Sequence, residues 1–137
     1  MISSTISLRV RYGETDQMGI VYHGNYPSYF EVARIEFFRE IGLPYKDLEG
    51  KGIILPVIDL QVKFIQSAFY DDELAIKAIL KEIPTGVRLQ FHYEIYNQEQ
   101  KLLTTGQTTL AFVDEKTRRP VRCPQYMIDK FNFNRKL

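Results

Sequence analysis

The sequence predicts an α+β fold in which a mainly antiparallel sheet of five strands surrounds one long helix. Three observations lead there. The apolar period runs as two, then about 3.6, then two again almost to the end of the chain. A single aromatic-rich helical segment stands between the first strand and the other four. The later β runs are joined by short polar turns, which suits antiparallel neighbours, since parallel ones need long crossovers.

The elements follow in order. Ile6, Leu8, Val10 and Tyr12 alternate with Ser7, Arg9 and Arg11, the pattern of a strand with one buried face. Gly13 to Gly24 has no steady period and reads as a loop. Asn25 is placed to cap a helix, with Pro27 in the first turn, where its missing N–H costs nothing. Tyr26, Phe30, Ala33, Phe37 and Ile41 form one helical stripe, widened by Ile35 and Phe38. Gly42 and Pro44 stop this helix, and its aromatic load places it at the centre of the core. Glu31 and Arg34 fall at the edge of the stripe, placed for pairing locally or across an interface.

After "YKDLEGKG", a loop with room for one helical turn, three alternating runs follow: Ile58 to Phe64, Leu74 to Leu80 and Leu89 to Ile95. A fifth, Leu102 to Val113, is Thr-rich with Gly106 in its middle, a position that predicts a bulge or bend. "PQYMIDKF" reads as a short amphipathic helix, and the ends "MISS" and "NFNRKL" are expected to fray. One helix cannot cover both faces of five strands. The open edge or face therefore predicts a second subunit, at least a homodimer.

With 137 residues the chain reads as one domain, 1–137, large enough to bury a core without staples. The net charge of +1 supplies no basic field for nucleic acid. The single cysteine, Cys123, allows no internal disulfide and fits a cytoplasmic setting. No signal-peptide pattern opens the chain, and no run approaches the ~20 apolar residues of a membrane span. The two His and one Cys lie far apart and predict no metal site.

The loop before the helix holds the chemistry. A helix start offers unpaired N–H groups that can polarise a carbonyl and hold the oxyanion formed on attack. Asp16 lies just upstream, and a carboxylate there can attack such a carbonyl or activate a water that does. His23 and Tyr12 are placed to orient the reacting groups. The same residues also suit a turn acid and a packing histidine, and their spacing alone favours that structural reading.

The run "RVRYGETDQMGIVYHGNYPSYFEVARIEFF" resembles the signature of the hotdog-fold acyl-CoA thioesterases, in particular the YbgC-like branch of the 4-hydroxybenzoyl-CoA thioesterase group. The matching positions are Tyr12, Thr15-Asp16, Gly19, Val21-Tyr22-His23, Gly24, Asn25-Tyr26 and Phe30 to Arg34. The resemblance implies a hotdog fold and hydrolysis of acyl-CoA thioesters, or of acyl-carrier-protein thioesters. It implies Asp16 as nucleophile or general base, His23 as an active-site residue whose N–H polarises the carbonyl, and Tyr12 as an active-site tyrosine. Val21, Tyr22, Asn25 and Tyr26 become candidate substrate contacts, and coenzyme A enters as part of the substrate with no separate cofactor. The resemblance further implies a homodimer joined edge to edge, or a homotetramer.

Coenzyme A ends in phosphates that need cations. Lys116, Arg118, Arg119 and Arg122 cluster in "DEKTRRPVR", and Arg118 and Arg119 are the leading candidates. Lys63 and Ser67 are weaker ones for the pantetheine or phosphate groove. His92 alternates with Phe91 and Tyr93, which assigns it to the polar strand face. Cys123 has no base pattern around it and reads as inert. The rival reading is a non-catalytic module that binds acyl-CoA or acyl carrier protein, since hotdog domains also serve as ligand sensors.

Overall fold

The period-two runs form strands, and every pairing among them is antiparallel. In the computed structural model, which describes residues 1–135, the elements are β1 (Ile2–Arg9), α1 (Tyr26–Glu40), α2 (Tyr45–Gly50), β2 (Ile53–Ile54), β3 (Val57–Phe64), β4 (Glu73–Leu80), β5 (Arg88–Tyr96), β6 (Leu102–Ala111), β7 (Val113–Asp114) and α3 (Gln125–Asn134). The main sheet has five strands in the order β1-β4-β5-β6-β3. β2 and β7 pair in a separate two-stranded sheet at the start of β3, an element the periodicity did not reveal.

Helix α1 lies on one face of the sheet and supplies much of the core. Phe30, Phe37 and Phe38 are fully buried, and Phe30 stacks on Tyr93 of β5 with ring centroids 4.3 Å apart. The stripe read from the sequence is the buried one, and Gly42, with φ +86°, ends the helix as expected. α3 packs Met127 and Phe131 into the same core, and α2 adds Leu48.

Several boundaries and assignments are corrected. β1 begins at Ile2, not Ile6: Ile2 and Ser4 are buried and pair with Leu80 and Ala78, so the first residues do not fray. It ends at Arg9, and Tyr12 enters a 3-10 turn instead of finishing a strand. Asn132 to Asn134 continue α3, while Lys136 and Leu137 lie outside the described residues. Asn25 makes no side-chain cap on α1, because a 3-10 turn, His23–Asn25, runs directly into the helix. Arg34 is not at an edge. It is buried, donating to the Tyr93 hydroxyl at 3.0 Å and the Tyr45 hydroxyl at 3.3 Å, with no carboxylate among its described partners. Tyr93 in turn shares a 2.6 Å hydrogen bond with Thr108 of β6, so the helix is tied to two strands through one cation.

Gly106 is also corrected. The β5–β6 and β3–β6 registers run unbroken through it, opposite Tyr93 and Val62. The register shifts fall instead at Val57/Asp59 and Ile95/Tyr96. The glycine is required by close approach: a Cβ there would stand 2.3 Å from the Phe30 ring. Phe30 cannot retreat, because Tyr93 stacks against it. Gly106→Ala should therefore cost roughly 1–3 kcal/mol through overpacking, read as a lower urea midpoint with an unchanged slope. A wild-type midpoint would show that the Phe30 seat is slack.

Candidate active site

The loop expected to hold the chemistry is built as a small hairpin. Thr15 and Val21 form an isolated antiparallel bridge at its base. Asp16 N–H donates to the Ile20 carbonyl at 2.9 Å, and Gly19 N–H donates to the Asp16 carbonyl at 3.0 Å. Gly19 takes φ +79°, a left-handed conformation that glycine adopts without strain. Met18 N–H donates to Asp16 Oδ1 at 2.9 Å, which orients the carboxylate and leaves its second oxygen without a described partner.

The other side of the hairpin leads into α1. Asn25 N–H donates to the Tyr22 carbonyl and Tyr26 N–H to the His23 carbonyl. The His23 and Gly24 amides thus become the first N–H groups of the joined helix, without an acceptor among the described residues. They carry the positive end of the helix dipole.

Between these two parts lies a cleft of about 320 Å³. Asp16 and His23 line it together, with Val21, Tyr26, Phe64 and Ile65 as apolar wall and Gln66 and Ser67 on the far side. Phe64 meets Tyr26 edge-on at 5.1 Å. Burial pushes the Tyr26 phenol above its usual range, so it stays protonated. A carboxylate, a helix start and an apolar wall in one cleft are the parts needed for attack on a bound carbonyl.

The remaining predicted residues are placed as follows. Val21, Tyr26 and Ser67 line the cleft with Asp16 and His23. Tyr22 sits beside it, its ring 4.4 Å from that of His23. Asn25 turns its side chain away and donates to the Glu14 carbonyl at 2.7 Å. Tyr12 is 78% exposed and packs edge-on against Tyr70, outside the cleft. Lys63 lies with His92 on the outer sheet face, in a separate polar groove of about 440 Å³. Burial and nearby Lys81 lower the pKa of His92. That groove is larger than the Asp16 cleft, but no helix start opens into it.

Arg118 and Arg119 follow β7, which pairs with β2 just before β3. They belong to the opposite end of β3 from the cleft, about 20–25 Å away at the rise of a strand. Within one chain they do not reach Asp16. Cys123 is buried, its thiol pushed up to about 12, which fits the inert reading. Among the described residues no cluster is suited to a metal ion, and no helix is long and apolar enough to cross a membrane.

Glu14 was missed by sequence reasoning. Its carboxylate accepts the Arg11 N–H at 2.8 Å, the Tyr29 hydroxyl at 3.1 Å and the Arg11 guanidinium at 3.2 Å. The available signal was an acid at the third position of a turn, the reach-back half of a capping box. Gln66 and Ile65 were also missed, because a strand-exit segment carries no periodic mark.

Comparison with known proteins places the chain among thioesterases. The profile of the thioesterase-like superfamily matches residues 10–131. YneP of Bacillus subtilis, which bears an acyl-CoA thioesterase name, is 32% identical over 115 residues, covering 84% of this chain and 83% of that one. The acyl-CoA thioester hydrolase YbgC of Escherichia coli is 29% identical over 124 residues, covering 90% and 92%. Among solved structures, the DHNA-CoA thioesterase of Staphylococcus aureus superposes with a TM-score of 0.88 at 40% identity, covering 96% of this chain and 88% of that one.

Glu14 also ties stability to pH. Partial burial pushes its carboxyl up, but the bonds from Arg11 and Tyr29 outweigh this and hold it below the ordinary 4.5. A depressed carboxylate adds stability above its unfolded pKa, and that stability is lost as pH falls through the folded value. Glu14→Gln should therefore lose stability at neutral pH and show a flatter decline on acidification below about 4.3, followed by urea midpoints from pH 7 to pH 3. Parallel curves for the two proteins would contradict this.

Proposed function

This chain belongs to the thioesterase-like superfamily, and from that premise we propose that it hydrolyses aromatic acyl-CoA thioesters, with Asp16 as the reacting carboxylate. One observation carries the reading: Asp16 and the first residue of the turn that opens α1 line the same cleft. A thioester carbonyl held by the His23 and Gly24 amides is polarised toward oxyanion formation. Asp16 then acts by one of two routes. As general base it takes a proton from water, the water oxygen bonds to the carbonyl carbon, and the C–S bond breaks to release thiolate. As nucleophile its free oxygen forms an anhydride with release of thiolate, and water opens the anhydride. In both routes the proton taken from the attacking water ends on the thiolate, so the products are a carboxylic acid and a thiol.

The acyl group is proposed as aromatic on two grounds. Tyr26 and Phe64 offer ring edges and faces to the cleft. The 40%-identical Staphylococcus aureus structure is that of a DHNA-CoA thioesterase, and the 1,4-dihydroxy-2-naphthoyl group is a bicyclic aromatic acyl group.

The full site is proposed to form in a two-fold dimer. β3 is an edge strand of eight residues with Ile58 51%, Leu60 41% and Phe64 53% exposed. An apolar edge of that length invites strand pairing. A two-fold axis normal to the sheet makes the two β3 strands antiparallel and sets the start of one beside the end of the other. The turn carrying Arg118 and Arg119 on the second copy then comes to the Asp16 end of the first, where coenzyme A phosphates need cations.

Asp16→Asn should lower kcat roughly 10²–10⁴-fold with the fold intact, measured by thiol release from 1,4-dihydroxy-2-naphthoyl-CoA and from a straight-chain acyl-CoA. Unchanged turnover removes Asp16 from the chemistry, and equal kcat/KM for the two substrates removes the aromatic preference. For the shared site, Asp16→Asn protein and Arg118→Ala/Arg119→Ala protein are unfolded and refolded together at equal amounts. Half the dimers are mixed and each holds one intact site, so about a quarter of wild-type activity should return at low substrate. Activity equal to the mean of the two parents would place both arginines outside the partner's site.

A further inference from the structure

We propose that Glu14 is a positioning residue for the reaction, one that fixes the Asp16 hairpin against the start of α1 without touching substrate; this rests on the assignment of Asp16 above. Two independent sets of bonds support it. Through its backbone, the Glu14 carbonyl accepts the Tyr22 N–H at 2.9 Å and the Asn25 side-chain amide at 2.7 Å, which holds the strand leading to Asp16 against the turn that opens the helix. Through its side chain, which is 16% exposed, Glu14 accepts the hydroxyl of Tyr29, a buried residue of the first helical turn. Burial and the neighbouring carboxylate push the Tyr29 phenol well above its ordinary value, so it remains a donor throughout the working pH range.

The placement explains why a carboxylate is used. Glu14 Oε1 serves the Arg11 N–H and the Tyr29 hydroxyl at once, while Oε2 faces the Arg11 guanidinium. Glutamine keeps one acceptor oxygen but turns an NH₂ toward the guanidinium. The far side of the hairpin has its own anchor, the Val21 N–H bond to the Ala68 carbonyl at 2.9 Å. Among the described residues two side-chain ties join the hairpin base to the helix start, and both end on Glu14: the Asn25 amide on its carbonyl and the Tyr29 hydroxyl on its carboxylate, of which only the second depends on the Glu14 side chain. Since Glu14 does not line the cleft, its loss misplaces the acid relative to the polarising amides and leaves the binding walls in place. The cost belongs in kcat.

The test is steady-state kinetics on Glu14→Ala, Glu14→Gln and Tyr29→Phe, each in the wild-type and the Asp16→Asn background. Misplacement by a fraction of an ångström to an ångström predicts that Glu14→Ala loses roughly 10–100-fold in kcat with KM within about threefold. Glu14→Gln and Tyr29→Phe should lose less. The Glu14→Ala/Tyr29→Phe pair should be no worse than Glu14→Ala alone, since both remove one tie. In the Asp16→Asn background none of these changes should lower the residual turnover further.

A wild-type kcat in Glu14→Ala overturns the proposal, and so does a loss of equal size in both backgrounds, which would mean that Glu14 merely supports the fold. Should Glu14→Ala fail to fold, Tyr29→Phe carries the same comparison. Full activity in Asp16→Asn removes Asp16 and this proposal with it, whereas an inactive Asp16→Asn beside an unimpaired Glu14→Ala removes this proposal alone.

Discussion

The contact between Phe30 and Gly106 seats the central helix, and the rest of the structure follows from that seat. A ring that lies where a Cβ would otherwise be brings α1 down onto β6 and stacks it on Tyr93. One helical turn earlier, Tyr26 is thereby set against Phe64 at the exit of β3. One turn later, Arg34 is brought beneath Tyr93 and within reach of Thr108 through it. The helix start can then emerge at only one place, the junction between β3 and β4, where Val21 bonds to Ala68 and the Asp16 hairpin arrives. The core therefore fixes where the first amides of the helix stand.

The same seat leaves a strand uncovered. Helix α1 packs chiefly on β1 and β4 and reaches β5 and β6 through Phe30. β3 keeps its edge free and its apolar side chains half in solvent. Exposed apolar strands are ordinarily blunted by charge, proline or bulges. Here there is a bulge at Val57/Asp59, at the end of β3 nearest β2, and none described farther along. Past the bulge, Asp59, Gln61 and Lys63 alternate with Leu60, Val62 and Phe64, which form a continuous apolar row. An edge built in this way is suited to pairing.

How much of this the sequence disclosed depended on the kind of signal. The sheet, α1 and α3 were legible because burial imposes a period, and Asp16, His23 and Val21 were legible because a signature fixes their order. Tyr12 was read as the last inward residue of a strand, but alternation cannot tell where a strand stops, and the chain turns at Arg11. Gly106 was legible as special and misread in kind: glycine looks the same whether it serves a bulge or a neighbouring ring. Arg34 was placed at the rim because arginine in a helix is ordinarily exposed. Its burial depends on Tyr45 and Tyr93, 11 and 59 residues away, which no local pattern connects. β2 and β7 are two residues each, too short to show alternation.

Two carboxylates flank the start of α1, and hydrogen-bond accounting separates their roles. Glu14 is engaged by three donors across both oxygens. Those bonds stabilise its charge and occupy the lone pairs a nucleophile or base needs. Asp16, which lines the cleft together with His23, takes one described donor, the Met18 N–H on Oδ1, and its other oxygen has none. An acid saturated with donors is fit to hold geometry. An acid with one oxygen free is fit to react. A bound carboxylate and a free one therefore stand two residues apart on one hairpin, the first suited to rigidity and the second to chemistry.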